Sequence, residues 1–366
     1  MVRILQVGLS SNPGGVENLV FNYHKHIDKK QFVFDYLDIY NEGIAFQDEI
    51  KQMGGKIYYV PNYKRHPIMS AKAINDLLDR QAFDIIHIHM QSAANLLPIE
   101  IALKKKNLKI ICHSHSSSTP NGVIRKVLNA VNQKKLREYP IYKWACGKNA
   151  GKWMWGEHFH ADDIVPNAIE YNLYKKDEKN RKILRSKLGF QERDRIGGLV
   201  GRFGDEKNTF FLIEVLKELL KLSKNYKLLT VGGNGLYDLF CKKINEEGLD
   251  ECYYSAGIQK NTRDWYQVMD CFLLPSFFEG FPMVGVEAQA AGIPCFLSDR
   301  ISDEINISHT VTFLSIDDEN SAKNWAYKIH DRFLQKEKNE YYFPEEYKIE
   351  MATQLLEEKY FQVINR

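Results

Sequence analysis

Short aliphatic runs separated by amphipathic stretches recur along this chain, pause near residue 170, and then begin again. In the first half RILQVG (3–8), FVFDYLDI (32–39), KIYYV (56–60), DIIHIH (84–89), KIICHSH (109–115) and YKWACG (142–147) read as strands. Helices fill the gaps at 16–27, 44–53, 70–80, 92–105 and 123–136. Runs that are apolar on both faces and separated by helices predict a buried parallel sheet. The second half repeats the pattern, with strands at 195–201, 226–233, 252–257, 271–276 and 294–298 and helices at 208–222, 235–246, 262–268 and 283–291. The reading is α/β, with two doubly wound, Rossmann-like domains. A length of 366 residues fits two domains of about 100–200 residues each. Segment 170–194 is charged and poor in strand formers, so the domains are drawn at 1–168 and 169–344, and 345–366 is a further helix after Pro344.

Several function classes fall away on charge and composition. The 50 basic and 47 acidic side chains leave a net charge of +3, without the basic excess of a nucleic-acid binder. Six cysteines lie apart, most of them in apolar runs, and read as reduced, buried small hydrophobes. The opening MVRILQVGLS is a strand and loop rather than a signal peptide, and no run approaches the roughly 20 apolar residues of a membrane span. A cytoplasmic protein is expected.

The chemistry concentrates in SFFEGFPMVGVEAQAAG (276–292), where a strand runs into a loop and then a helix starting near Pro282 and ending at Gly292. The backbone N–H groups of Gly280, Phe281, Pro282, Met283 and Val284 lie where an anion site at a helix N-terminus is expected. A diphosphate held there would bring Glu279 near a sugar and Glu287 near a ribose, whose hydroxyls a carboxylate accepts. In LVGRFGDEKN (199–208) Gly201 and Gly204 let the chain turn, and Arg202 and Lys207 then reach the carboxyl end of the sheet, where such sheets bind ligands. Two cations there neutralise a leaving diphosphate. VGLSSNPGGVENLV (7–20) is again strand, glycine-rich loop and helix, with Gly14 and Gly15 permitting close backbone approach.

Histidines recur as H-x-H at 24/26, 87/89, 113/115 and 158/160, and residues two apart on a strand share a face. No cysteine or carboxylate pattern accompanies them, so no metal ion is expected. His115, at the end of its strand, is the leading candidate for the site, followed by His113 and His89. No D-x-D occurs, the spacing expected where a divalent cation holds a diphosphate.

Taken in order, GGVE (14–17), KIICHSHSS (109–117), VPNAIE (165–170), VGRFGDEKN (200–208), AGIQKN (256–261) and the FFEGFPMVGVEAQAAG block resemble glycosyltransferase family four, of the GT-B fold, and especially bacterial enzymes of capsular and exopolysaccharide synthesis. The resemblance implies two Rossmann-like domains facing across a cleft, with the last helix crossing back to the first. It implies retention at the anomeric carbon with no metal and no cofactor. Arg202 and Lys207 would hold the diphosphate, Glu287 the ribose and Glu279 the donor sugar. The backbone at Gly257, Ile258 and Gln259 would read the base, Gly15 would approach the phosphates, and His115 would contact sugar or acceptor. One departure is Ala168, where the family carries a glycine; it puts the local turn and any role for Glu170 in question.

The expected function is transfer of a sugar from a nucleotide diphosphate donor, with uridine the expected base, to a glycan or polyprenyl-linked sugar. A nucleotide-sugar epimerase or hydrolase on the same scaffold is the alternative. A nicotinamide-dependent dehydrogenase ranks below it, because no G-x-G-x-x-G is present. Residues 123–155 carry eight basic side chains and Trp144, Trp153 and Trp155 against Glu138 alone, which suits contact with an anionic membrane at its inner face.

Overall fold

The computed structural model describes residues 1–117, 119, 122–160, 164–335 and 342–366. The chain forms two units, Met1–Ile169 with Glu345–Arg366, and Glu170–Pro344.

The first unit holds β1 (Val2–Val7), β2 (Phe32–Asp38), β3 (Ile57–Tyr59), β4 (Ile85–Met90), β5 (Lys109–Ser114) and β6 (Tyr142–Ala145). All pairings are parallel, in the order β3-β2-β1-β4-β5-β6. The chain walks outward from β1 to β3, returns to pair β4 with β1, and walks the other way. The reversal between β1 and β4 opens a crevice at the carboxyl ends of those strands. Every residue of β4 is buried, as its unbroken apolar and histidine run requires of a central strand.

The second unit repeats this plan with β7 (Arg195–Val200), β8 (Tyr226–Val231), β9 (Tyr253–Ser255), β10 (Cys271–Leu274), β11 (Cys295–Ser298) and β12 (Val311–Leu314). Its order is β12-β11-β10-β7-β8-β9, so its reversal falls between β7 and β10. β12 and the helix Ser321–Leu334 go beyond the sequence reading. The charged segment after residue 170 contains the helix Glu178–Lys187. Polar groups anchor it: Arg181 and Arg185 both donate to the Asp270 carboxylate, which also accepts from the Ile196 backbone N–H at 2.8 Å.

The last helix, Ile349–Asn365, packs into the first unit. Its entry is set by a backbone bridge, with Ile169 N–H on Tyr347 O at 3.0 Å and Ile349 N–H on Ile169 O at 2.9 Å. Buried Tyr360 lies against Phe32, Phe34 and Trp144, and Glu357 accepts from the Asp28 N–H at 2.7 Å. The turn beside this bridge needs no glycine. Ala168 has no left-handed backbone; its N–H donates to Pro166 O at 2.9 Å, and its methyl group is buried. All six cysteines are free, four of them buried, while Cys241 and Cys252 keep some exposure.

Candidate active site

In the second unit, the loops after β7 and β10 meet at the reversal point. Gly201 leaves β7 with φ +149, and a Cβ at neighbouring Gly232 would lie 1.9 Å from the Gly201 carbonyl oxygen, so glycine is what lets these two turns touch. Gly204 has an ordinary backbone, and the tight turn expected there comes instead from the short 3-10 helix Asp205–Lys207. The Phe277 N–H donates to Glu206 O at 2.9 Å and ties the two loops together. Across this tie Lys207 Nζ sits 2.6 Å from Glu279 Oε1, with the side chains 14% and 13% exposed. Ser276 Oγ also donates to Glu279 Oε1, at 2.7 Å. Arg202, by contrast, is 79% exposed and among the described residues reaches only Glu206, at 3.5 Å. Phe277 and Phe278 are exposed beside Glu279.

The helix after β10 spans Met283–Ala290, with Pro282 as its N-cap and no side-chain cap. The start agrees with the expected helix 283–291. Pro282 has no N–H and contributes no donor, Phe281 is buried, and Gly280 lies in the loop. Gly285 N–H is already bonded to Pro282 O, which leaves Met283 and Val284 as the first-turn amides for an anion. Glu287 follows one turn later. Tyr266 Oη donates to its Oε2 at 2.7 Å and Tyr174 Oη to its Oε1 at 3.1 Å. Burial pushes its carboxyl up to about 7 against the opposite pull of these two hydroxyls. The tyrosines come from other helices, and no sequence pattern marks them. The loop after β9 carries Gly257, at φ +62, with Ile258 and Gln259 exposed, and Gly257 O accepts from Gly232 N–H at 2.8 Å. Loops bearing Arg202, Lys207, Gly257, Glu279 and the start of the Met283 helix therefore all lie at the carboxyl ends of one sheet's strands.

In the first unit the glycine-rich loop after β1 is organised by Glu17, which the sequence reading did not single out. Buried Glu17 accepts from Ser10 N–H at 2.9 Å, Ser10 Oγ at 2.8 Å and Gly14 N–H at 3.2 Å. A Cβ at Gly14 would lie 2.7 Å from Glu17 Oε2, so Gly14 serves this approach without a left-handed backbone. Gly15 opens the helix Gly15–His26.

Beside this loop, β4 and β5 pair with His89 opposite His113, and four histidines form a ladder. His115 Nε2 lies 2.9 Å from His89 Nδ1, and His89 Nε2 lies 2.8 Å from Gln6 Oε1. Tyr360 Oη lies 2.7 Å from His87 Nδ1, and His87 Nε2 lies 3.2 Å from His113 Nδ1. The contact with Gln6 fixes the protons at His89 and His115. The Gln6 carbonyl only accepts, so His89 carries its proton on Nε2 and accepts from His115 Nε2–H. The direction of the Tyr360–His87 and His87–His113 bonds follows the His87 tautomer, and among the described residues His113 Nε2 has no partner. Burial pushes His87, His89 and His113 well below the usual histidine range and His115 to about 3, so all four are neutral at pH 7. His87, His89 and His113 each offer a nitrogen within 4.8 Å of the others, a grouping of the kind that holds a metal ion. Hydrogen bonds already engage both nitrogens of His87 and of His89, and the described residues offer no carboxylate to this grouping.

The basic and aromatic surface expected over 123–155 is corrected in its aromatic half. Trp144 and Trp155 are buried, with Trp155 Nε1 donating to Trp144 O at 3.0 Å, and Trp153 is packed against the core. Five of the eight basic side chains and the exposed aliphatic residues lie on the helix Val123–Glu138.

Two doubly wound parallel sheets, with the final helix returned to the first unit, give this chain the GT-B fold. Solved structures share it over the full length: HepE of Anabaena in complex with UDP and glucose is 16% identical, covers 100% of this chain and 98% of its own, and has a TM-score of 0.74. WaaG, a glycosyltransferase involved in lipopolysaccharide biosynthesis, is 15% identical over 96% of this chain and 93% of its own, with a TM-score of 0.70. Residues 180–348 match the family glycosyl transferases group 1. Among relatives, EpsF of Bacillus subtilis, named as a glycosyltransferase, is 28% identical over 89% of this chain and 86% of its own. The capsular polysaccharide biosynthesis glycosyltransferase CapH of Staphylococcus aureus is 24% identical over 98% and 99%. A galactosyltransferase of Escherichia coli that takes UDP-Gal and α-D-GlcNAc-diphosphoundecaprenol is 22% identical over 81% and 79%. The family match therefore falls on most of the second unit, and the chain as a whole resembles the bacterial capsular and exopolysaccharide glycosyltransferases, as its motifs predict.

Proposed function

We propose that this chain is a retaining, metal-independent glycosyltransferase that moves a hexose from a UDP-sugar to a lipid-linked sugar in polysaccharide synthesis. The observation that carries the reading is the Lys207–Glu279 pair at the β7/β10 reversal, beside a helix start with no side-chain cap. A cation, a carboxylate and free amides at one switch point suit a diphosphate with a sugar attached. UDP is favoured because UDP occupies the fold relative HepE and UDP-Gal is the donor of the E. coli relative. The lipid-linked acceptor is carried over from the same relative, and an acceptor of that kind would be met in the cytoplasm at the membrane's inner face.

In this reading Met283 and Val284 N–H, Lys207 and Arg202 stabilise the diphosphate as it leaves. Arg202 must swing inward from its exposed position, which its 3.5 Å contact with Glu206 allows. Glu279 accepts from sugar hydroxyls, Glu287 from the ribose, and the backbone at 257–259 reads the uracil. Gly15 approaches the phosphates, and His115 contacts sugar or acceptor. The acceptor oxygen bonds to the anomeric carbon on the face that the diphosphate leaves, and its proton passes to a diphosphate oxygen. Metal independence rests on the lack of D-x-D and on two cations taking the neutralising role. The test is a panel of UDP-sugars for thermal stabilisation, followed by transfer to an undecaprenyl-diphosphate sugar with chelator present and NMR of the new linkage. Inversion at the anomeric carbon, or loss of transfer on chelation, refutes the corresponding part.

A further inference from the structure

Gln6, buried near the end of β1, begins a hydrogen-bonded chain that runs outward to His115. Its Oε1 accepts from His89 Nε2–H at 2.8 Å, and His89 Nδ1 accepts from His115 Nε2–H at 2.9 Å. A neutral imidazole has one N–H and one bare nitrogen, so each ring hands on the polarity that the Gln6 carbonyl sets. Burial holds His89 well below the usual histidine range and takes His115 to about 3, so neither ring gains a second proton near pH 7. The backbone keeps the chain in register. His115 N–H donates to Met90 O at 2.8 Å, and a Cβ at Gly8 would lie 2.3 Å from the His89 carbonyl oxygen, so the turn after β1 closes directly on β4. His115 itself is half-buried. Its other nitrogen, Nδ1, makes no hydrogen bond among the described residues and, unlike His113 Nε2, is not sealed from water. With the proton on Nε2, that nitrogen can only accept.

We propose that Gln6 and His89 are positioning residues that hold His115 as its Nε2–H tautomer, so that Nδ1 is a fixed acceptor for one substrate hydroxyl. A hydroxyl donates to such a nitrogen, a carboxylate or phosphate oxygen does not, and a deoxy position offers nothing. The chain of two rings therefore selects a sugar hydroxyl at the point that His115 meets. Gln6 acts through His89 and touches no substrate. The proposal rests on the reading in which His115 contacts sugar or acceptor, and names the chemical group it takes there.

The tautomers are read directly in the full-length wild-type protein, by long-range proton–nitrogen NMR on ring-labelled histidine near neutral pH. His89 and His115 should both carry the proton on Nε2; a His115 protonated on Nδ1 overturns the proposal, whatever the variants do. Monodeoxy analogues of the UDP-sugar and of the acceptor sugar then locate the hydroxyl. Its removal should lower wild-type kcat/KM by about tenfold. His89→Leu withdraws the acceptor from His115 Nε2–H and should slow the parent substrate by a similar factor while leaving that one analogue unchanged, so that the two converge. His89→Gln, whose amide can donate to Gln6 and accept from His115, should restore the difference. Tyr360→Phe breaks the bond to His87 alone and should lose stability yet keep the difference. Equal losses on parent and analogue in His89→Leu assign His89 to the fold and overturn the proposal, as does a wild type indifferent to every deoxy analogue. Transfer with the opposite tautomer removes this proposal alone, and the expected tautomers in a protein that transfers no sugar remove the enzymatic reading.

Discussion

Glu287 should make the protein's stability and donor affinity depend on pH in opposite directions. Its carboxyl is raised from 4.5 to about 7, chiefly by burial, while the Tyr266 and Tyr174 hydroxyls favour the ionised form. In the unfolded chain it gives up its proton near 4.5. From there to about 7 the folded state holds a proton that the unfolded state has lost, so the stability this group contributes is full at low pH and declines as pH rises through that window. The range corresponds to about 3 kcal/mol as an upper bound, since the side chain keeps some solvent access. Glu287→Gln removes the titration. Thermal unfolding at pH 5 and pH 8 should therefore show the variant gaining on wild type by about 2–3 kcal/mol at the higher pH, or about 5–10 °C. Ribose hydroxyls that donate to Glu287 favour its ionised form, so wild-type donor affinity should climb by up to about tenfold per pH unit to pH 7 and then level. Calorimetry in buffers of different ionisation enthalpy should find close to one proton released per donor bound at pH 6. Unfolding differences that do not change with pH refute the burial argument, and donor affinity that is flat below pH 7 refutes the ribose assignment.

Arg202→Ala should cut turnover about 10²–10³-fold and leave the unfolding temperature unchanged, because the side chain is 79% exposed; Lys207→Ala should cut turnover similarly, and near-normal rates in both remove the diphosphate assignment. Asp270→Ala leaves Arg181 and Arg185 facing each other unneutralised and should cost about 3–5 kcal/mol, read as a melting temperature lower by about 10 °C. Tyr360→Phe removes the hydrogen bond to His87 Nδ1 and should cost about 1–3 kcal/mol in denaturant unfolding; no change would mean the ladder runs through other bonds.

The parallel sheets were legible because a strand buried on both faces leaves a run free of charged residues, as in β4 (IIHIHM) and in β7 after Arg195. The helix Glu178–Lys187 was hidden because arginines bonded to Asp270 anchor it, and hydrophobic periodicity does not register such an anchor. In the site, Lys207 and Glu279 were legible as loop residues following strands, but their contact depends on β7 and β10 being neighbours, which strand order alone decides. Tyr174 and Tyr266 carried no signal for the same reason. The ladder was half visible: H-x-H spacing puts His87 and His89 on one face, while the pairing of β4 with β5 that adds His113 and His115 is written nowhere in the local sequence. The tryptophans misled, since charge and aromaticity describe a segment but not which of its side chains turn inward.

The first unit is not continuous in the chain, because its last helix is separated from residue 169 by the whole of the second unit. During synthesis the second unit emerges entire and can fold at once. The first must wait with Gln6, His87 and the surface later covered by Tyr360 open to water until residues 349–365 arrive. A ribosome that stops short of them releases a product with an unsealed polar core, which a protease can tell from the finished enzyme without reading its active site.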